Sequence, residues 1–525
     1  MNKELSSKIK VWLKDRQNLA ILGIIFLSFA IRLYFLITTS GQTLWWDEAE
    51  YGATAKSFFT SLDYPLNNQR PMMFPAVLGL LQILSLPETL IKFLLTVIPS
   101  VGLVFAIYLL GNKLYGKKVA MIASLFAATS WTFVFWSARL QPDFISMLFQ
   151  VLAIYFMWNY WENPSKKSII YSAIFASLGF NFKVSGLLVP MIFLVFIFFR
   201  EDFRFLKKKD YWIFLGVFLL FLVPQFIYSQ IAFGSTTAFL FSSGYASVVL
   251  ENKPFAWYVI KFFYFLTENV LFGLFLIGLI ISARFLLYLD ILFKNRKTTL
   301  NAQFLSIISL IIILIFYVFY VRDTEDRWVF LWLPFIFYLA ADACVFIFDK
   351  IKVYSRPIAV FVLALLLLTI SYSQISHANQ LIKLKQETYN PVKDASVWIR
   401  DNSQTDDLVF TISLPQTAYY SERRVATYSN ITSAENFSEY IKKLHPQFIL
   451  LSLYERHPTW AIGQGNQGGY DFLVLPYFNS TIYSQNGQIV AYDIKKDYSR
   501  DGLDFTLIYP TNALDGAFVY RVEYG

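Results

Sequence analysis

Long apolar segments alternate with short polar connections through the first 376 residues of the 525-residue chain. A helix needs about 20 mainly apolar residues to cross the hydrocarbon core of a bilayer. The pattern predicts eleven such spans, over residues 18–39, 89–110, 119–137, 144–161, 168–182, 184–199, 211–232, 265–291, 301–321, 328–348 and 357–376. We therefore expect a polytopic α-helical membrane protein with about eleven transmembrane helices.

One further apolar segment, residues 71–86, is not counted as a span. It is 16 residues long and has Pro71 and Pro75 near its start. Counting it would also break the alternation of the loops across the membrane. A helix that lies at the membrane surface or re-enters the membrane fits this segment better. Juxtamembrane helices are therefore expected in the first outer loop.

Basic residues mark the connections that should face the cytoplasm, because cytoplasmic loops of membrane proteins are rich in Lys and Arg. Five basic residues precede the first span: Lys3, Lys8, Lys10, Lys14 and Arg16. Alternation then places five further connections inside, and each of them is basic: residues 111–118, 161–167, 200–210, 292–300 and 349–356. We expect a multi-pass protein of the cell membrane, with a cytoplasmic N-terminus and with residues 40–70 and 377–525 outside.

The pattern changes to a soluble one after residue 376. Helical periodicity over residues 390–402 and 433–443 alternates with apolar segments typical of strands at 407–412 and 448–453. The pairs Asn486-Gly487 and Asp515-Gly516 lie between β-prone residues and predict hairpins. Two domains are expected: a transmembrane catalytic domain, 1–376, and an extracytoplasmic α/β domain, 377–525.

The composition narrows the class further. Only 15% of the residues are charged, compared with about 25% in soluble domains. The formal net charge of +9 is explained by the basic cytoplasmic loops, so a nucleic-acid partner is not expected. Cys344 is the single cysteine, which excludes an internal disulfide and argues against a cysteine-based metal site.

Polar and ionisable residues collect on the connections that should face outward. The most acidic of these is the segment Thr43-Leu-Trp-Trp-Asp-Glu-Ala-Glu-Tyr51. The others contain Gln69 and Arg70; Arg139 and Asp143; Lys183; and Arg322, Asp323, Glu325, Asp326 and Arg327. Ionisable groups at membrane depth are costly and tend to mark functional sites.

Lys183 is the clearest of these groups. It lies in a short hinge between two predicted spans and has no acidic residue within ten positions in the sequence. A bound phosphate is one expected partner for its ammonium group. The alternative is that the side chain extends to the membrane surface without a specific ligand.

The residue types indicate the chemistry. A carboxylate such as Asp47 can act as a general base toward a hydroxyl group or bind a divalent cation through its oxygens. Arg and Lys suit phosphate groups. The rings of Trp45, Trp46 and Tyr51 can stack on a sugar or lie in the interfacial aromatic belt. Together these groups, next to lipid, predict a site for a lipid-linked phosphosugar.

At these residues the sequence resembles a known family, the polyprenyl-phosphate-sugar glycosyltransferases of the GT-C class. The closer resemblance is to the group that contains the protein O-mannosyltransferases (glycosyltransferase family 39) and the lipid A aminoarabinose transferases. Asp47-Glu48 soon after the first span and Arg70-Pro71 are similar to elements of that family. Three later elements are also similar: Ala138-Arg-Leu-Gln-Pro-Asp143, Gly179-Phe-Asn-Phe-Lys183 and Asp326-Arg-Trp-Val-Phe-Leu-Trp-Leu-Pro334. The resemblance covers roughly residues 17–376.

The resemblance implies an inverting transfer of a sugar from a polyprenyl-phosphate donor to a hydroxyl group of a protein, lipid or glycan. Asp47 would be the base, and Glu48 would orient it or help to hold an ion. The resemblance also implies a set of substrate-binding residues: Arg70, Arg139, Asp143, Lys183, Arg327, Tyr51 and Trp46. The resemblance implies no definite cofactor, and it allows a divalent cation near Asp47 and Glu48. Gln69 stands where relatives often carry a better metal ligand, which argues against a metal at that position.

The C-terminal domain is also similar to domains that accompany this family. Its segment Thr417-Ala-Tyr-Tyr-Ser-Glu-Arg-Arg-Val-Ala426 resembles an Ala-Tyr-Tyr-x-x-Arg-Arg motif found in such domains. The sequence does not indicate what this motif does.

Other functions are compatible with a polytopic chain. One is a membrane transporter, which would favour internal repeats and polar groups near the bilayer centre. Another is a protein that handles lipid-linked glycans without transferase activity, and a third is a membrane-anchored scaffold. The ionisable residues lie toward the outer ends of the spans, and an anchor needs one span only. The sequence therefore favours glycosyl transfer.

Overall fold

The computed structural model describes residues 15–240, 254, 257–283, 298–321, 325–428, 431–455, 458–461, 470, 473, 483–485, 488–491, 496–509 and 516–525. Its α-helices in chain order are α1 Arg16–Thr38, α2 Trp46–Phe59, α3 Met73–Ile83, α4 Glu88–Leu114, α5 Lys117–Thr129, α6 Trp131–Ser137, α7 Asp143–Glu162, α8 Lys166–Phe182, α9 Leu188–Glu201, α10 Lys209–Phe233, α11 Phe263–Thr267, α12 Asn269–Ala283, α13 Thr298–Ile315, α14 Trp332–Lys352, α15 Arg356–Leu384, α16 Asn390–Asp401, α17 Leu414–Ser421 and α18 Ala434–Leu444. One turn of π-helix lies within α4, at Phe93–Val97, and others lie at Trp257–Phe262 and Phe316–Val321.

The helices confirm a multi-pass membrane protein. Each predicted span coincides with helix over the residues that the structure describes; residues 284–291 of the span predicted at 265–291 lie outside them. Eight helical segments among the described residues are long and apolar enough to cross a bilayer. The pair α5 and α6 makes a ninth if its 49° bend lies within one span. The remaining two of the eleven predicted spans correspond to α8, with 17 residues, and α12, with 15 residues. The segment predicted to be juxtamembrane contains α3, which at 11 residues is too short to span.

The chain packs into two units. The helical unit comprises Met1–Ser40, Asn67–Phe74 and Pro87–Lys385, and the sheet unit comprises Gly41–Leu66, Pro75–Leu86 and Gln386–Gly525. We call residues 40–70 the first loop. Most of this loop belongs to the sheet unit, together with the C-terminal residues. This grouping reflects packing, and the predicted functional division at residue 376 stays a prediction.

Helix α14 lies at the centre of the helical unit. Its residues from Trp332 to Ala341 are all buried, and it packs against α5, α12, α13 and α15. A helix that is apolar on all sides is one that neighbours surround. The ring of Tyr338 fits against Gly111 of α4, and its hydroxyl donates to the carbonyl of Ile107 at 2.8 Å.

Two side chains from other helices close the break between α5 and α6. Arg32 on α1 donates to the carbonyls of Ala128, at 2.9 Å, and Ala127, at 3.2 Å. The amide of Trp131 donates to Oε1 of Gln374 on α15 at 3.1 Å. Backbone groups freed inside a membrane must find partners within the protein, and Arg32 and Gln374 provide them.

A mixed sheet forms the centre of the sheet unit. Its strands are β1 Leu408–Thr411, β2 Arg424–Ala426, β3 Phe448–Ser452, β4 Tyr483–Gln485, β5 Gln488–Ala491, β6 Asp497–Arg500, β7 Leu503–Tyr509 and β8 Ala517–Tyr524. Six of them pair in the order β2-β1-β3-β8-β7-β6, with β1 parallel to β2 and β3 and the other pairs antiparallel. The predicted α/β domain is thus confirmed.

The predicted elements of this domain lie close to the observed ones. Helices α16 and α18 and strands β1 and β3 coincide with the four predicted segments. Strands β4 and β5 form one predicted hairpin, and β7 and β8 form the other. The turn residues Asn486, Gly487 and Asp515 lie outside the described residues.

Candidate active site

Lys183 lies in an extended turn between α8 and α9, as the hinge predicted from the sequence requires. Its φ and ψ angles are −155° and 131°, and a short 3-10 turn, Val184–Leu187, follows it. Gly186 lies so close to the end of α8 that a Cβ atom there would overlap the backbone of Phe180. Only glycine permits this close approach of two backbone segments, so the sequence Lys-Val-Ser-Gly sets the position of Lys183.

The partner of the Lys183 ammonium group is Asp143, the first residue of α7. Its Oδ1 atom pairs with Lys183 Nζ, and the carboxylate is buried. The sequence contains no acidic residue within ten positions of Lys183, so this ion pair was not predicted. The two residues are 40 positions apart in the sequence, and the packing of α7 against α8 brings them together.

The second carboxylate oxygen of Asp143 has a different environment. Its Oδ2 atom is buried and accepts no hydrogen bond from the described residues. Below it, Ser146 donates to the carbonyl of Gly179 at 2.6 Å, and Gln150 donates to Ser146 at 2.8 Å. The Ser146 bond joins α7 to α8, and the Gln150 bond lies within α7. Asp143 Oδ2 keeps its capacity to accept a hydrogen bond.

Arg327 precedes α14 and is also buried. Its Nε atom donates to Glu325 Oε2 at 2.6 Å, and its guanidinium group lies 5.0 Å from the ring centre of Trp136. The indole of Trp136 in turn donates to Asp326 Oδ2 at 2.7 Å. Burial raises the pKa of the Asp326 carboxyl group to about 6, although the Trp136 hydrogen bond acts in the opposite direction.

These residues form one charged cluster at the ends of α7, α8 and α14. Lys183 is close enough to Arg327 and Glu325 to interact with both electrostatically. Arg139 is buried on the connection between α6 and α7 that leads to Asp143. The residues that these contacts join are Lys183, Asp143, Arg327, Glu325 and Asp326. Arg139 precedes Asp143 by four positions. Lys183 and Arg327 thus each have a carboxylate partner, Asp143 and Glu325 respectively.

Arg70 lies in the helical unit, as the charged cluster does, on the segment between α2 and α3. Its amide donates to the carbonyl of Asn67 at 3.1 Å, in a turn. The next residue but one, Met72, donates its amide to Gln225 of α10 at 2.9 Å. The backbone of this segment is therefore fixed to α10.

The acidic segment of the first loop begins a helix in the sheet unit. Asp47 and Glu48 are in the first turn of α2, where acidic side chains favour the helix dipole. Glu48 is fully buried, and its Oε2 atom accepts the amide of Trp45 at 2.9 Å. This contact is one half of a capping box. Asp47 is half-buried.

The two rings predicted to bind substrate differ in accessibility. Trp46 is 39% exposed, whereas Tyr51 is 4% exposed and belongs to the packed face of α2. Trp46 is therefore the ring of this pair that a ligand can reach without a rearrangement.

The described residues contain no group of three or more His, Cys, Asp or Glu side chains that could hold a metal ion. One carboxylate oxygen of Glu48 is already occupied by the Trp45 amide. A divalent cation near Asp47 and Glu48 stays a prediction.

Trp136, which contacts Asp326 and Arg327 of the charged cluster, was not predicted. Trp136 lies in an apolar run, and nothing in the sequence distinguishes it from a core residue. Glu325 and Asp326 were visible as charged residues beside Arg327, but the sequence does not show that the Trp136 indole donates to Asp326 or that Lys183 lies near Glu325. The partners of a buried charge are set by helix packing and not by the local sequence.

Comparisons with known proteins give a match to one family model and to several solved structures. A family model described as dolichyl-phosphate-mannose-protein mannosyltransferase matches residues 69–228, which include Arg70, Arg139, Asp143 and Lys183. No match is found among curated protein sequences.

Solved structures give a match to nearly the whole chain. The oligosaccharyltransferase of Archaeoglobus fulgidus is 16% identical, with a TM-score of 0.59 over 89% of this chain and 72% of that protein. ArnT from Cupriavidus metallidurans is 12% identical, with a TM-score of 0.59 over 95% of this chain and 98% of that protein. The arabinofuranosyltransferase AftD from Mycobacteria is 13% identical, with a TM-score of 0.57 over 95% and 40%.

The chain thus has the fold of the GT-C glycosyltransferases, with a transmembrane helical part and a C-terminal sheet-containing part. The resemblance inferred from the sequence motifs is confirmed at the level of the fold.

Proposed function

We propose that this protein is a glycosyltransferase that moves a sugar from a polyprenyl-phosphate donor to a hydroxyl acceptor at the outer face of the membrane. The GT-C fold supports this class, as does the match of residues 69–228 to the mannosyltransferase family model. The acceptor class includes hydroxyl groups of proteins, lipids and glycans.

Two relatives support a lipid phosphate as the leaving group. The archaeal relative AglB has been solved with a dolichol-phosphate and an inhibitory peptide, and ArnT has been solved with undecaprenyl phosphate. A chain with the same fold can use the same kind of lipid carrier, so long as it provides cations for the phosphate at membrane depth.

The observation that carries the proposal is the charged cluster of Lys183, Asp143 and Arg327. Ionisable groups at membrane depth are costly and tend to mark functional sites. Asp143 and Arg327 are buried, and the partly exposed Lys183 ammonium group pairs with Asp143. Arg327 pairs with Glu325, so both cations are already oriented before a ligand arrives. Preorganised charges of this kind stabilise the negative charge that develops on a leaving phosphate.

The proposed reaction is a direct displacement at the anomeric carbon. Asp47 accepts the proton of the acceptor hydroxyl, and the acceptor oxygen forms the new bond to the anomeric carbon. The bond from that carbon to the phosphate oxygen breaks, and its electron pair leaves with the lipid phosphate. A single displacement inverts the configuration at this carbon. The cluster around Lys183 receives the phosphate. Asp143 Oδ2 can accept a hydrogen bond from a hydroxyl group of the polyprenyl-phosphate sugar.

The first test is Asp47→Asn, which keeps the shape of the side chain and removes the proton acceptor. Turnover should fall by at least about 100-fold, the lower end of what a general base contributes. Affinity for the donor should be close to that of the wild type. The measurement is the rate of sugar transfer and the binding of a short-chain polyprenyl-phosphate sugar by the purified protein in detergent.

Asp63→Asn provides the matched control, because Asp63 is an exposed carboxylate of the same loop that contacts Arg424 at 3.5 Å. This variant should keep its turnover. If Asp47→Asn transferred sugar as fast as Asp63→Asn, Asp47 would not be the base, and Glu48 would be tested next.

A further inference from the structure

Helix α2, which carries Asp47, packs along α17 of the C-terminal sequence within the sheet unit. Helix α17 contains Tyr419 and Tyr420, the two tyrosines of the Ala-Tyr-Tyr segment. Ala53, Tyr64 and Ala418 form a buried apolar contact between the first loop and α17. The first loop and the C-terminal residues are thus one packed structure at this point.

Tyr420 fixes the backbone directly before the acidic residues. Its hydroxyl oxygen accepts the amide of Leu44 at 2.9 Å, and both residues are buried. One position earlier, the hydroxyl of Thr43 donates to Asn390 Oδ1 at 2.7 Å. The following amide, that of Trp45, is taken by Glu48. Three successive residues before Asp47 are therefore each held by a side chain.

Tyr419 holds the same helix further along. A Cβ atom on Gly52 would lie 2.7 Å from the Tyr419 ring, so the ring rests directly on the α2 backbone. Lys56, one turn later, donates to the Tyr419 carbonyl at 2.9 Å and pairs with Glu422 at 2.6 Å. Residues four positions apart lie on one face of a helix, so Gly52 and Lys56 present a single face of α2 to α17.

We propose that Tyr420 and Tyr419 are positioning residues that hold the Asp47 carboxylate in the orientation needed for proton transfer. The inference rests on the proposed role of Asp47 as the base. Displacement of a reacting group by about 1 Å can lower a rate by a factor of about 100. A segment fixed at Leu44 and at Gly52 leaves Asp47, which lies between them, little freedom to move.

The test compares Tyr420→Phe with Tyr524→Phe. Both changes remove one hydroxyl and keep the ring. Tyr524 lies on β8, where its hydroxyl donates to the carbonyl of Pro446 at 2.7 Å, so it is a hydrogen-bonded tyrosine of the same unit outside the contacts described above. The two variants should lose a similar amount of stability.

Tyr420→Phe should lower kcat by about 10-fold with the KM for the donor unchanged, because a positioning residue acts on the chemical step. Hydrogen exchange at the Leu44 amide should become about 10-fold faster, since that amide loses its acceptor. Tyr524→Phe should change neither kcat nor the exchange of residues 41–52. Gly52→Ala should reproduce the loss of kcat, because the new methyl group displaces the Tyr419 ring.

The outcomes separate this inference from the proposed function. If Tyr420→Phe kept both kcat and the slow exchange of Leu44 while Asp47→Asn was inactive, the positioning role would be refuted and the base would stand. If exchange became faster and kcat did not change, the contact would be structural only, which also refutes the inference. An active Asp47→Asn variant would refute the proposed base instead.

Discussion

The ion pair of Lys183 and Asp143 allows the phosphate role of Lys183 to be tested separately from its structural role. Removing one partner of a buried pair leaves the other charge unpaired, which typically costs about 3–5 kcal/mol of stability. Lys183→Met alone should therefore lower the melting temperature. Adding Asp143→Asn removes the unpaired charge and should restore most of the stability.

Donor binding should respond differently. A charge-assisted contact to phosphate is worth about 1.5–3 kcal/mol, so the double variant should bind a short-chain polyprenyl-phosphate sugar about 10- to 100-fold more weakly than the wild type. The matched control is Lys113→Met with Glu162→Gln, a 3.3 Å pair that involves the last residue of α7. If the Lys183 double variant bound the donor as tightly as the wild type, Lys183 would only pair with Asp143. Arg139 or Arg327 would then be the candidates for binding the phosphate.

Asp326 gives a prediction about pH. Its pKa in the folded protein is about 6, above the ordinary value of 3.8, because the carboxyl group is buried. The folded protein binds this proton more tightly than the unfolded chain does. The group therefore stabilises the fold fully below about pH 4, and this stabilisation is lost as the pH rises through about 6.

Asp326→Asn removes the titration and keeps an acceptor for the Trp136 indole. Between about pH 4 and pH 7, the melting temperature of the wild type should fall relative to that of the variant. Thermal unfolding in detergent at several pH values measures this, with Asp349→Asn as a control at a half-exposed carboxylate. If the melting temperatures of wild type and Asp326→Asn changed with pH in parallel, the prediction would be wrong. The Asp326 carboxyl group would then have the same pKa in the folded protein as in the unfolded chain.

At the scale of secondary-structure elements, the break between α5 and α6 depends on side chains from distant helices. Arg32→Met would leave the carbonyls of Ala127 and Ala128 without their donors and would also remove a 2.6 Å hydrogen bond to Ser100. Each buried polar group left without a partner costs about 1–3 kcal/mol. The expected loss of stability is therefore about 3 kcal/mol or more.

Thermal unfolding in detergent measures this loss, with Arg204→Met as the control because Arg204 is 77% exposed. Gln374→Leu should show a loss of the same kind, since Gln374 satisfies the Trp131 amide across the same break. A melting temperature for Arg32→Met equal to that of Arg204→Met would mean that the freed carbonyls find other partners.

The two breaks in the helices differ in how well the sequence predicts them. The hinge at Lys183 is preceded and followed by glycines, and Gly186 is required there by a close backbone approach. It could therefore be located from the sequence. The break at Ser130 contains neither glycine nor proline, and it is stabilised by Arg32 and Gln374 from other helices. A break that depends on tertiary partners leaves no local pattern.

At the scale of the whole molecule, the orientation in the membrane follows from the basic loops. Ser61→Cys in a Cys344→Ala background should react with a membrane-impermeant thiol reagent added to intact cells. Ser165→Cys, in a basic connection predicted to lie inside, should react only after permeabilisation. Because both variants carry the same serine-to-cysteine change, a difference in labelling reports the side of the membrane on which the cysteine lies. Labelling of Ser61→Cys only after permeabilisation would place the first loop on the cytoplasmic side and remove the basis of the proposed site.

The membrane class, the positions of the helices and the α/β character of the C-terminal part could be predicted, because each depends on local hydrophobic periodicity. The contact of Lys183 with Asp143 and the packing of α2 against α17 could not. Both join residues that are far apart in the chain, and both depend on which helix faces meet. The Ala-Tyr-Tyr segment was visible as a motif, but only the packing of its tyrosines against Leu44 and Gly52 gives it a candidate role.

The packing of α2 against the C-terminal sequence also affects the order in which the protein matures. The contacts that hold the start and the face of α2 join residues 347, 363 and 376 positions apart. At a synthesis rate of about 5–20 residues per second, the partner of α2 emerges roughly 20 to 70 s after α2 itself. During that interval the membrane helices between them are made. The first loop is thus among the earliest segments to be synthesised and among the last to reach its final structure.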